Sequence, residues 1–121
     1  MIELGRLSVM LAGAAGVSLG ALGLVFLRDP AAGLRLATHR AEALPEVMAN
    51  RYLAFAALAG LAVWHGDAAV VAALFTVLAL MALHDAFLYA RSGHIWGRHA
   101  AAGVFSLVVA GLVWFARAEG V

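Results

Sequence analysis

The sequence predicts an all-α integral membrane protein, a four-helix transmembrane bundle with a short interfacial helix after the first span. Composition is the first observation behind this. Of 121 residues, 65% are hydrophobic and 12% charged, with a mean hydropathy of +0.97. Ordinary soluble domains are about 45–50% apolar and about 25% charged. A short water-soluble chain exposes too much of its surface to hide so much apolar area, so the surplus faces lipid. Run length is the second observation: four helical stretches are long enough for a ~30 Å hydrocarbon layer at ~1.5 Å per residue, the second only by including polar residues. The third is a lopsided distribution of arginine, taken up below.

The first span covers about residues 4–27. Leu7 to Leu27 is 21 uncharged residues, longer than the 7–15 residues of a secretory signal core, so it reads as a membrane helix and not a cleaved leader. Gly13, Gly16, Gly20 and Gly23 follow one another at spacings of 3, 4 and 3, one stripe of a helix. Such a stripe allows close backbone approach between membrane helices, and it is the expected packing face, including for a homo-oligomer. Asp29-Pro30 has the form of an N-cap followed by proline at the first helical position. Leu34, Ala37, Ala41 and Leu44 then repeat at helical spacing, with Arg35, His39, Arg40 and Glu42 elsewhere on the wheel. This predicts an amphipathic interfacial helix over about 30–44.

Pro45 opens the second span, about 45–64, which must carry Asn50 and Arg51 into the membrane to reach spanning length. His65-Gly66-Asp67 predicts a tight turn with Asp67 capping the third span, about 68–90. The fourth covers about 98–116. The whole length, 1–121, is expected to be one transmembrane domain. Of the eight arginines, Arg28, Arg35, Arg40, Arg91 and Arg98 fall on the side of loops one and three, and Arg6 and Arg117 on the side of both termini. Five against two predicts loops one and three inside and both termini outside. Trp64 and Trp114 at the outer boundary, with Tyr89 and Trp96 at the inner one, fit aromatic belts. The basic residues are all arginine, and with 29 Ala and 13 Gly this points to a GC-rich bacterial genome and hence to an inner membrane.

Several chemistries are excluded. A net charge of +1 does not suit nucleic-acid binding. With no cysteine, disulfide, thiolate and iron–sulfur chemistry are absent. No G-x-S-x-G elbow, Walker loop or dinucleotide fingerprint occurs, and no cofactor is expected. His84, Asp85, His94 and His99 match no recurrent ligand spacing, since His94 and His99 are five apart, so no metal site is expected.

Polar residues nonetheless collect at one depth. Arg51 lies six residues into the second span, about 9 Å at ~1.5 Å per residue, and Asp85 lies six residues before Arg91. His84 adjoins Asp85, His99 opens the fourth span, and Asn50 adjoins Arg51. Intramembrane ionisable residues are costly and are functional-site hypotheses by default. Arg51 and Asp85 form either a buried pair that sets helix register or the core of a pocket. His84 either snorkels or takes part in chemistry, His99 is open in the same way, and Asn50 suits an interhelical hydrogen bond. On the functional reading, Arg51, Asn50, Asp85 and Tyr89 bind, while His99, Asp85 and His84 supply acid–base groups.

With these features the chain resembles the uncharacterised small bacterial four-helix membrane protein families. The resemblance rests on the glycine-rich first helix, Asn50-Arg51 opening the second, Asp85 late in the third and Arg98-His99 opening the fourth. It covers nearly the whole chain and implies the fold without an activity. Many such relatives carry an acid directly after the arginine, where Tyr52 stands here. Small multidrug transporters and fluoride channels are similar in size, but the embedded glutamate of the one and the helix-break motif of the other are missing.

The function expected is binding of a small lipophilic or amphiphilic molecule in a polar pocket on the cytoplasmic side, whether or not acid–base chemistry follows. The alternative is a structural or assembly subunit, and the third reading a proton-coupled transporter, disfavoured because the outer half offers only His65 and Asp67.

Overall fold

The computed structural model describes residues 2–120. It is all-helical: α1 (Ile2–Arg28), α2 (Pro30–Leu36), a 3-10 turn (Ala41–Ala43), α3 (Leu44–His65), α4 (Ala68–Arg91) and α5 (Gly97–Ala118). Four helical stretches of 24, 25, 24 and 22 residues are long and apolar enough to cross a membrane, as a multi-pass membrane protein requires. In lipid an unpaired backbone amide has no water to turn to, so each apolar run closes its hydrogen bonds within itself as helix.

The chain separates into two compact units, Met1–Arg51 and Tyr52–Val121, where length and composition predict a single domain. Helix α3 contributes its first turns to one unit and the remainder to the other. In the first unit Asp29 caps α2, its carboxylate accepting from the Ala32 N–H at 3.0 Å, with Pro30 opening the helix. The chain folds back here because Gly33 is buried against the Phe26 ring of α1. A Cβ at Gly33 would lie 2.5 Å from that ring, so only glycine permits this approach.

The interfacial segment is shorter than the predicted helix over 30–44. Helix α2 stops at Leu36, because Thr38 takes a left-handed φ of 56°. The Thr38 N–H then donates to the Arg35 carbonyl at 3.1 Å and the His39 N–H to the Leu34 carbonyl at 2.9 Å. This is the paired-bond helix stop that glycine usually closes. The 3-10 turn follows, and α3 begins at Leu44 with proline in its first turn.

In the second unit the predicted cap is present: the Asp67 carboxylate accepts from the N–H groups of Ala69 at 2.8 Å and Val70 at 3.3 Å. Helices α4 and α5 then form a close antiparallel hairpin. Its buried residues are Ala72, Ala79 and Ala86 on α4 and Gly103 and Ala110 on α5, each series spaced by seven. A seven-residue repeat keeps one seam facing a neighbouring helix. Small residues on that seam let the backbones approach, which matters in lipid because tails are as apolar as leucine and give large side chains no drive inward. A Cβ at Gly103 would meet the Leu83 side chain at 2.6 Å and its backbone nitrogen at 3.1 Å.

The predicted packing face on α1 stands differently. A Cβ at Gly13, Gly16, Gly20 or Gly23 would meet nothing within 4 Å, and no residue of Gly5–Arg28 is buried. Close glycine contacts among the described residues fall instead at Gly33 and Gly103.

Candidate functional site

In the first unit, the α1 positions Leu19, Leu22, Gly23 and Phe26 repeat at helical spacing and form one apolar wall. Leu34 of α2 and Leu44 of α3 extend it, and a hollow of about 370 Å³ lies among them. Its two polar members are His39 and Arg51. His39 reaches the hollow because the left-handed turn at Thr38 sends the chain back beside Leu34. Arg51 shares a face of α3 with Leu44, seven residues or about 10 Å along the axis. His39 is half-buried and Arg51 exposed. Among the described residues of this unit, no carboxylate lies within 4.0 Å of Arg51; the ion pair there is Arg40–Glu42 at 3.9 Å, too exposed to add much stability. The guanidinium is therefore open to an anionic partner. Asn50 is exposed on the same turn.

The other expected site residues belong to the second unit and lie near the turn that joins α4 to α5. Phe75 and Ala82 on α4 and Ser106 and Val113 on α5 are half-buried. At the end of the hairpin Tyr89 lies against His99, ring centres 4.6 Å apart, with His94 edge-on to Tyr89 at 6.0 Å. Asp85 is half-buried in register with Val71 and Leu78 at the flank of the seam, while His84 is exposed on the outer face of the hairpin. The fold thus brings Tyr89, His94 and His99 together and turns His84 away from them. Asp85 has no cation within 4.0 Å among the described residues of its unit.

No family model, no curated protein and no solved structure matches this chain.

Of the hollow's polar pair, the sequence pointed to Arg51 by its depth but placed His39 on the polar face of an amphipathic helix. The stop at Thr38 is what redirects it. A glycine at that position would have signalled the stop, whereas threonine is a poor left-handed residue and hides it. Chemically, the arrangement offers a bidentate cation, an imidazole that can donate and accept hydrogen bonds, and an apolar wall. That combination has the chemistry to hold an anionic head attached to an apolar body.

Proposed function

We propose that this chain is a multi-pass protein of the bacterial inner membrane, of the small four-helix type it resembles, that binds a small amphiphile with an anionic head. The apolar body would lie along Leu19, Leu22 and Phe26, and the head would meet Arg51 and His39. One observation carries this reading: a hollow of about 370 Å³ whose lining is apolar but for those two side chains. The volume falls within the roughly 300–1,000 Å³ of ligand pockets, which pair mostly apolar walls with a few polar groups. The depth of Arg51 supports the same reading, because an arginine inside a membrane span is retained for a partner. With both termini outside, as the arginine count favours, the head would sit toward the cytoplasmic surface.

Binding of dodecanoate, dodecanol and dodecyltrimethylammonium to the whole purified chain tests it. Dodecanoate should bind best. Arg51→Gln should weaken it about tenfold or more, the worth of a charge-assisted hydrogen bond. Gly23→Phe should abolish binding by filling the hollow, which Gly23 lines and where a Cβ would meet nothing within 4 Å. Equal binding of the cationic amphiphile would sink the proposal. Orientation is tested separately: a cysteine at Ser92 should resist an impermeant thiol reagent applied outside, and one at Glu119 should react.

The assembly reading retains one favourable observation, the uncovered glycine stripe of α1. A second copy seated there would be lost in Gly16→Leu, visible as a change in oligomer mass.

A further inference from the structure

The turn joining α4 to α5 has no role in the hollow of the first unit, yet it is built unlike an ordinary connection. Arg91 ends α4, Arg98 is the second residue of α5, and His94 and His99 lie with them. No acidic residue occurs between Asp85 and Glu119. Among the described residues of this unit no carboxylate approaches either arginine within 4.0 Å, so the charge is not neutralised within it. The turn is also well fixed. Gly93, at a φ of 75°, closes the end of α4. The N–H of Gly93 donates to the Ala90 carbonyl at 3.2 Å and that of His94 to the Tyr89 carbonyl at 2.9 Å. His99 is held against the Tyr89 ring, and the Arg91 guanidinium lies 5.7 Å over the Phe87 ring.

Beside this charge stand two large apolar side chains, Ile95 at 87% exposure and Trp96 at 51%. Together in water such residues are unfavourable. At a bilayer surface the indole belongs at headgroup level and Ile95 can enter the acyl boundary. Ile95 also lines, with Arg98 and His99, a shallow hollow of about 350 Å³. A ligand there meets guanidinium and imidazole on one side and an acyl-like side chain on the other.

From this juxtaposition we propose that the α4–α5 turn binds the phosphate of an anionic phospholipid, its diester oxygens on Arg98 with Arg91 adding positive charge and the His94 and His99 rings able to donate N–H groups, its acyl chains beside Ile95. Arginine pairs with phosphate through two parallel hydrogen bonds. Basic pockets at the ends of membrane helices favour such headgroups. A phosphatidylcholine carries the same phosphate, but its choline cancels the charge that the turn would recognise.

Native mass spectrometry of the whole purified chain with equimolar phosphatidylglycerol and phosphatidylcholine of matched acyl chains tests this. The chain should retain phosphatidylglycerol. Arg98→Gln should lower that preference about fivefold and Arg91→Gln with Arg98→Gln about thirtyfold, each basic group near an anionic surface being worth roughly a factor of five. Arg117→Gln, at the opposite end of α5, removes the same charge and should leave the preference intact. Should the double variant fail to fold, Arg98→Gln alone decides. Equal retention of both lipids, an unchanged preference in the Arg98 variant, or displacement of phosphatidylglycerol by equimolar inorganic phosphate would overturn the proposal; the last result would mark a free-phosphate site.

Discussion

The two units end a helix with the same device and differ in what closes it. In Leu34–His39 and again in Tyr89–His94, the fifth residue takes a left-handed φ and the sixth is a histidine whose N–H returns to the first residue's carbonyl. Gly93 makes this stop in the second unit without steric cost, and threonine makes it in the first. A β-branched residue in the left-handed region is strained by roughly 1–2 kcal/mol, so surrounding contacts must hold Thr38 there. What the sixth residue meets also differs: His94 joins a tyrosine at the end of a closed seam, and His39 enters a hollow. One backbone device thus finishes a packed hairpin in one place and lines a cavity in another. The lesson is that the stop sets where the histidine goes, and neighbouring packing sets what it can do.

The largest test of this contrast is in the closed seam. Ala79 is fully covered, so Ala79→Leu should force α4 and α5 apart and cost at least about 3 kcal/mol, at or beyond the usual overpacking range. Reversible unfolding in mixed micelles reads this out. A loss under about 0.5 kcal/mol would mean that the seam is not closed. Gly103→Ala comes next, at about 1–3 kcal/mol, because the new methyl meets the Leu83 side chain and backbone. Gly111→Ala, on the same helix with nothing within 4 Å, should be neutral or gain up to about 1 kcal/mol from helix propensity. Adding Leu83→Ala to Gly103→Ala should recover part of the loss; if it recovers nothing, the close approach is not what glycine serves there.

The exchange of closing residues sharpens the comparison directly. Gly93→Thr should destabilise by about 1–2 kcal/mol through left-handed strain. Thr38→Gly should stabilise by about 0.5 kcal/mol, the relief offset by the greater freedom of glycine in the unfolded chain. Opposite signs support a shared device, and equal signs would break the parallel. A small effect is also expected at the uncovered stripe. In detergent that keeps the chain monomeric, Gly20→Leu should change stability by no more than about 1 kcal/mol, the gain expected from helix propensity. A large loss in the monomer would show that α1 has a packing partner within the chain.

How far the site was legible follows from the same residues. Asp29 and Asp67 were readable as caps because a cap is a contact across two or three residues. Arg51 was marked by depth, which needs only residue counting along one helix. His39 was not readable, since its place depends on one dihedral at Thr38. Nor were the close glycines. Gly13 to Gly23 present the better-known spacing, while Gly103 and Ala110 repeat at seven in a chain with 29 alanines, where such a spacing arises easily by chance.

The sequence by itself determined the helical class and the four spans, because in lipid every apolar run must satisfy its own backbone and can do so only as a helix. It determined the caps and the Gly66 turn on the same local grounds. Only the tertiary structure decided that α4 and α5 close on alanine and Gly103, that Tyr89 meets His99, and that His39 and Arg51 share a hollow. Those outcomes depend on contacts between residues distant along the chain. Lipid supplies little hydrophobic bias toward any one helix face, so they are settled by which backbones can approach and which side chains leave room.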